Sequence, residues 1–405
     1  DAYRGAGRPE AIYVLERVMD YAARELGVDP WELRRRNFIK PDAFPYETVV
    51  GEVYDVGEFD RVMTRAAEAA DVDGFAGRKA ASHAEGKLRG LGICYYIESI
   101  LGDPTEGAAI AFNDDDTVDL YVGTQSNGQG HETVYAQFLA DQSGLPMEAI
   151  RIVQGDSDLI KAGGGTGGSR SVTVQSTATL ATIDTMITTF PPNVAAKLAV
   201  PEDSVTFEDG HFRSEHSNQT PDLMEVAAMA RDDDRPDLLC HEGKATLPGR
   251  SYPNGCHIAE MEIDPDTGTV EVAKYTVADD FGNLMHPMLA EGQVHGGVAQ
   301  GIGQALTEHV VFDESGQLLT ATFMDYGMPR ADNVPMIAFY TETIPSKNNP
   351  MGMKGCGEAG TVGALAAVAN GVLDAVWDTG LRHVDMPFTP SRMWQMLQQE
   401  QIAAE

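Results

Sequence analysis

Apolar residues at positions 12, 15, 18, 19, 22 and 26 (Ile12, Leu15, Val18, Met19, Ala22, Leu26) recur at helical spacing, and residues 8 to 38 read as helical with Pro9 near the first turn. Within that span "GVDPWELRRRNF" starts a second helix, with Asp29 as N-cap and Pro30 at the first position. "KPDAFPYETVVG" reads as a loop and "DVGEFDRVMTRAAEAA" as a further short helix. From residue 88 the period changes. "LRGLGICYYIESI" and "EGAAIAFNDDDTVDLYVGT" are rich in β-branched and aromatic residues and read as strands. "HETVYAQFLADQSG" is a helix ended by Gly144, "IRIVQGD" a strand, and a helix follows from about 172 to 190. "PEDSVTFEDGHFRS" is a hairpin around Asp209-Gly210, and "CHIAEMEIDPDTGTVEVAKYTVADDFG" is strand, turn, strand. "LAEGQVHGGVAQGIGQALTEHV" reads as a glycine-rich approach to a helix, and "GCGEAGTVGALAAVANGVLDAV" as a loop and then a helix. Strands that pair locally, interleaved with helices, predict an α+β fold with mixed β-sheets.

Length and charge narrow this picture. A chain of 405 residues exceeds what one core usually holds, so two or more subdomains are expected. The longest apolar run, "GTVGALAAVANGVLDAV", is interrupted by glycine, Asn370 and Asp374 and reads as too short and broken to span a bilayer. The formal net charge of −33 argues against nucleic acid as a partner, because phosphate binding needs a basic surface. Lysine is scarce and aspartate comes in runs ("NDDDT", "RDDDRPD"), the composition of a salt-adapted, halophile-like protein whose acidic surface stays hydrated. Thermal unfolding is therefore expected to shift upward in molar KCl; maximal stability at low salt would contradict that reading. The four cysteines, Cys94, Cys240, Cys256 and Cys356, form no C-x-x-C, so no iron–sulfur cluster or zinc ribbon is readable. The repeated Cys240-His241 and Cys256-His257 pairs match no finger spacing, and no residue is singled out as a metal ligand. Few cysteines point to a reducing compartment and a cytoplasmic location. The first residues carry no initiator methionine, basic segment or apolar segment, as expected of a start in mid-protein.

Several glycine-rich loops carry the candidate chemistry. Gly355, Gly357 and Gly360 spell G-x-G-x-x-G, but the preceding "IPSKNNPMGMK" holds two prolines and no strand, so a dinucleotide fingerprint is not supported. The same loop presents Glu358 between small residues; held away from water, it is expected to have a raised pKa and to act as a base near neutrality. The plainer alternative is a glutamate that merely caps the following helix. In "GTQSNGQGHETVYAQ", Gly128, Gln129 and Gly130 precede a helix whose first turn holds His131, Glu132 and Thr133, where free amides favour a phosphate. "GGGTGGSRSVT" offers Thr166, Ser169, Arg170 and Ser171 as donors beside Gly168. "AEGQVHGG" offers the amide of Gln293, and "AYRGAGRPE" places Arg4 on a tight turn. Each loop singly is ordinary structure. Together, without a GK[ST] P-loop, they point to one large phosphate-bearing ligand wrapped by backbone.

In order, "AYRGAGRPEA", "GQGHETVYAQ", "GTGGSRS", "EGQVHGGVAQGIGQAL" and "KGCGEAGTVGA" resemble the large, molybdenum-binding subunit of the xanthine dehydrogenase family, and within it three-subunit hydroxylases and aerobic-type carbon monoxide dehydrogenases. The resemblance implies a molybdopterin cofactor, in the cytosine dinucleotide form, and hydroxylation of a carbon centre with water as oxygen source. It makes Glu358 the active-site base and Gln293 a residue near the metal and pterin. Gly128, Gln129, Gly168, Ser169 and Ser171 fall on pterin loops, His131, Glu132 and Thr133 where the pyrophosphate would sit, and Arg4 beside the substrate pocket. Residues 1–85 correspond to the end of a first molybdopterin-binding domain with a helical connector. Residues 86–405 correspond to a second, split near 86–245 and 246–405. Two departures matter. Carbon monoxide dehydrogenases of the family carry a copper-binding cysteine after the tyrosine-arginine pair, where this chain has Gly5, which favours an organic substrate such as an N-heterocycle or an aldehyde. Family large subunits are also roughly twice as long, and a "GGFGGK"-type loop is missing. The chain thus resembles the C-terminal half, expected to need the N-terminal half for cofactor binding and turnover. An iron–sulfur (2Fe-2S) small subunit and an FAD medium subunit are implied as partners, in a dimer of heterotrimers. An aerobic carbon monoxide dehydrogenase-like subunit, a nicotinamide oxidoreductase and a non-catalytic scaffold subunit of such a complex are the alternatives.

Overall fold

The computed structural model describes residues 3–404, with side chains to residue 398. Asp1, Ala2 and Glu405, which belong to the expected outer boundaries and, for Ala2, to the first motif, lie outside the described residues. Helix α1 (Arg8–Leu26) leads into α2 (Pro30–Asn37), where the Asp29 carboxylate accepts from the Trp31 and Glu32 N–H groups at 2.8 and 3.0 Å. A small ribbon, β1 (Tyr46–Glu47) and β2 (Val53–Tyr54), precedes α3 (Phe59–Ala70). Helix α4 (Phe75–Ala84) follows; the pattern did not reveal it because "GRKAASHA" has no apolar stripe and only Ser82 is buried.

The next elements are β3 (Leu88–Ile97), β4 (Thr105–Phe112), β5 (Val118–Val122), α5 (His131–Ser143), β6 (Ile150–Val153), α6 (Ser171–Thr189) and α7 (Pro191–Leu198). A hairpin of β7 (Thr206–Glu208) and β8 (His211–Arg213) turns at Asp209-Gly210, and α8 (Leu223–Asp232) and β9 (Cys240–Thr246) complete this stretch. Then come β10 (Asn254–Ile263), β11 (Val270–Asp280), α9 (Pro287–Leu306), β12 (Ile337–Thr341), α10 (Ala359–Val376) and α11 (Pro390–Ala404). Gln293 therefore lies inside a helix, not on an approach to one: the proline at the first position and His286, whose side chain accepts from Leu289 N–H, start α9 early.

Two four-stranded sheets result, in the orders β6-β5-β4-β9 and β12-β11-β10-β3. Their burial differs. Strand β4 alternates strictly, with Ala108, Ile110 and Phe112 packed against α6 and the other face half-exposed. The second sheet is covered on both faces. Cys94, Tyr96, Ala259 and Met261 face α10, while Ile93, Tyr95, Cys256 and Ile258 face α3. Strand β3, expected with residues 86–245, thus pairs with β10 of the later segment, because its continuous apolar run suits a sheet buried on both sides. Helix α10 with the turn after it spans 21 residues and by length and composition alone could cross a bilayer, contrary to the expectation from its interruptions; it is instead almost wholly buried at the centre of the molecule. Its backbone approaches β3 so closely that a Cβ on Gly92 would sit 1.9 Å from the Ala367 carbonyl oxygen.

Candidate functional site

Strand ends and helix starts meet at one cavity of about 990 Å³. It is lined by the turn before α1, the loop after β3, the loops entering α5 and α6, the loop entering α9, and the loop entering α10. Helix N-termini leave backbone N–H groups without intrahelical acceptors, so this gathering presents donors to an anionic guest.

Glu358 is the N-cap residue of α10, but its side chain makes no cap hydrogen bond, which removes the simple capping role. The carboxylate turns to the opposite wall. Its Oε1 accepts from the Gly5 N–H at 3.1 Å, and its Oε2 accepts from Ser169 Oγ at 2.8 Å and pairs with Arg8 Nη2. Burial pushes this carboxyl up, but Arg8, Ser169 and the Gly5 N–H outweigh it and hold Glu358 below the ordinary carboxylate range. The expected rise is thus overturned. The glycines beside Glu358 are visible in the sequence, whereas its counter-ion lies 350 residues away.

A second carboxyl, Glu98, stands behind Ser169. Its Oε1 is 2.6 Å from Ser169 Oγ and 3.0 Å from Arg8 Nη1, and the residue is fully buried. Burial pushes it up to about 8, against the pull of Arg8. Neither Glu98 nor Arg8 was singled out from sequence. The signals were there: Arg8 belongs to the same motif as Arg4, and Glu98 is a lone acid ending the apolar run "GICYYIE". Lys354 was missed as well. It lines the cavity and pairs with Asp280, both side chains being fully buried, which ties the loop before α10 to the end of β11.

Arg4 closes another side. Its Nε donates to the Gly357 carbonyl at 2.6 Å, Nη1 to Gln300 Oε1 at 3.0 Å, and Nη2 to the Gln293 carbonyl and Oε1 at 2.8 and 3.2 Å. Gln293 is thereby held with its amide oxygen on Arg4. Gly128, Gln129 and His131 line the cavity, as do Gly168, Ser169, Arg170 and Ser171. Gly130, Glu132 and Thr133 do not. Glu132 and Thr133 are exposed, and Glu132 accepts from the Gln154 amide, because the first turn of α5 rotates them away from His131. Arg170 serves the architecture of its loop. It is buried, and its guanidinium donates to the Asp103, Gly165 and Thr105 carbonyls and pairs with Glu106 at 3.1 Å. Its charge secures the loop and is not free for a phosphate. The stretch before Gly355 is irregular, as the rejected dinucleotide reading required.

Two models described as molybdopterin cofactor-binding domain match the chain, one over residues 65–335 and one over residues 1–38. The chain belongs to the molybdopterin cofactor-binding domain family, in the form found in large subunits of the xanthine dehydrogenase type. It is 31% identical over 424 residues to the carbon monoxide dehydrogenase large chain of Hydrogenophaga pseudoflava, covering 99% of this chain and 52% of that one. It is 33% identical over 412 residues to the nicotine 6-hydroxylase large subunit of Paenarthrobacter nicotinovorans, covering 97% and 50%. A crystal structure of Cu,Mo-CO dehydrogenase superposes with a TM-score of 0.90 at 30% identity, covering 99% of this chain and 53% of that one. The chain spans about half the length of these relatives.

Proposed function

We propose that this chain forms the pterin-facing portion of a molybdenum hydroxylase large subunit that oxidises an organic substrate, an N-heterocycle or aldehyde, with water as the oxygen source. One observation carries the reading: six distant segments of the chain close around a single cavity with an ionised carboxylate in its wall. The lining suits a molybdopterin in the cytosine dinucleotide form. Backbone amides at helix starts match its phosphates, and His131, which lines the cavity, has its Nδ1 buried with no hydrogen-bond partner among the described residues. The cavity is at the upper end of the roughly 300–1,000 Å³ typical of cofactor sites. When bound, the molybdenum pterin supplies a two-electron centre and an activated, water-derived nucleophile.

The protein groups do the rest. Glu358, anionic and fixed by Gly5, Arg8 and Ser169, takes up a proton at its carboxylate. Arg4 engages the Gln293 oxygen and so leaves the Gln293 N–H groups for a bound heterocycle. Gly5 bears on the substrate class. At φ 102° and with its Cβ position 2.4 Å from Pro9 Cγ, residue 5 is built for glycine and leaves no room for a metal-binding side chain. That favours an organic substrate over carbon monoxide, the reading that likeness to carbon monoxide dehydrogenase large chains offers in its place. The four cysteines are all free and scattered, so electrons leaving the site call for a 2Fe-2S small subunit and an FAD medium subunit, in a dimer of heterotrimers. The same thiols favour the cytoplasm.

The test is composition. Purified with the remainder of a full-length large subunit and its partners, the protein should contain molybdenum and release cytidine nucleotide on acid hydrolysis. This chain alone should contain little of either. A complete complex without both would overturn the reading.

A further inference from the structure

We propose that Glu98 is a positioning residue, held as a neutral carboxylic acid whose proton is directed at Ser169, so that the single negative charge of the Glu98–Glu358 pair stays on Glu358. The role rests on the reading of Glu358 as the base; the protonation itself does not.

Counting hydrogens carries the argument. Ser169 Oγ stands 2.6 Å from Glu98 Oε1 and 2.8 Å from Glu358 Oε2, and it also accepts from the Glu358 N–H at 3.2 Å. A hydroxyl has one hydrogen and two lone pairs. It can donate to only one of the two carboxyls, so the other must bring its own proton. With Glu98 as the acid every site on the Ser169 hydroxyl is filled: Glu98 O–H donates to Ser169, Glu358 N–H donates to Ser169, and Ser169 donates to Glu358. The 2.6 Å separation suits such an O–H···O bond.

The alternative placement, with the proton on Glu358, fails on two counts. Whichever way Ser169 points, both Glu358 oxygens hold donors that favour the anion, the Gly5 N–H on one and Arg8 Nη2 on the other. Glu98 Oε2, in contrast, is buried with no hydrogen-bond partner among the described residues. An unpartnered oxygen is tolerable on a neutral acid and costly on a carboxylate. Arg8 is a shared cation: its Nη1 lies 3.0 Å from Glu98 Oε1 and also donates to the Ser99 carbonyl at 2.6 Å, while its Nη2 pairs with Glu358. The other groups that face Glu98 are Arg4 and Cys356 across the cavity wall and Tyr96 two residues back in β3; Tyr96 donates to Asp279, and burial keeps Tyr96 and Cys356 protonated. Arg4 and Arg8 are thus the cations in reach, and Arg4 is spent on Gln293, Gln300 and Gly357. The burial that pushes Glu98 up to about 8 agrees with this assignment.

The consequence has a definite sign. Below about pH 8 the pair carries one charge; above it Glu98 ionises, a second anion stands behind Ser169, and the chain of donors breaks. Because the folded-state value lies above that of an unfolded glutamate, the stability gained from the protonated form is present below the ordinary carboxylate range and is lost as pH rises toward about 8.

Infrared difference spectra of the full chain, recorded below and above about pH 8, test the protonation without cofactor or turnover. We expect a protonated-carboxyl C=O band that disappears as pH rises through that value and is absent from Glu98→Gln. In the assembled enzyme Glu98→Gln, whose amide can still donate to Ser169, should retain most of kcat at neutral pH and lose the alkaline fall of kcat. Glu98→Ala should lower kcat with little change in KM. A wild-type chain with no such band, or Glu98→Gln showing the wild-type band and alkaline limb, would overturn the proposal. Absence of hydroxylase activity with the band present would instead sink the functional reading alone.

Discussion

Glu358→Gln should reduce turnover of the assembled enzyme by about 10²–10⁴-fold, the range for losing a positioned general base, while molybdenum and nucleotide content stay at the wild-type level. The glutamine keeps the size and one acceptor of the side chain but cannot hold an additional proton. Cofactor content is insulated because the loops entering α5 and α6, where Gly128, Gln129 and Ser171 lie, make no hydrogen bond through the Glu358 carboxylate except at Ser169. Some loss of stability should accompany the change, since Arg8 would face a neutral amide in a half-buried setting. Arg8 holds Glu358 below the ordinary carboxylate range, so the wild-type acid limb of kcat/KM should lie below that of an unperturbed glutamate. Near-normal turnover by Glu358→Gln would remove the base and favour a scaffold role for the chain.

Gly92→Ala should destabilise the full chain by about 3 kcal/mol, read as a fall in the urea midpoint without a change in slope. One methyl group is enough because its neighbours are backbone: the Ala367 carbonyl oxygen at 1.9 Å and the Gly371 nitrogen at 2.3 Å. No rotamer can relieve such contacts, so either β3 or α10 must move. Both reach the site, β3 ending one residue before Glu98 and α10 beginning one residue after Glu358. A drop in activity should therefore accompany the drop in stability. Gly77→Ala, in the exposed first turn of α4 with nothing within 4 Å of the new methyl, is the control and should be neutral or stabilising by up to about 1 kcal/mol. Equal effects of the two substitutions would show that α10 does not lie against β3 as described.

How much of this was legible in the chain follows from the range of the forces involved. Local chemistry fixed the start of α2, the Asp209-Gly210 hairpin, the α6 and α10 segments and the identity of the glycine-rich loops, because caps, turns and periodicity are written within a few neighbouring residues. The order of the five motifs was enough to indicate the family, and Glu358, Gln293, Ser169 and Arg4 were chosen from them. The state of those residues was not readable. Whether Glu358 is an anion depends on Arg8, Gly5 and Ser169, whether Arg170 can meet a guest depends on Glu106 and three carbonyls, and whether Gln293 offers oxygen or nitrogen depends on Arg4. Glu98 became important only when β3 set it behind Ser169. Electrostatics and hydrogen bonding act over a few ångströms in space, and the chain separates these partners by up to hundreds of residues. The sequence alone therefore determined the elements and the inventory of functional groups, and the tertiary packing of α10 against β3 and α9 decided which charges meet and which proton each one holds.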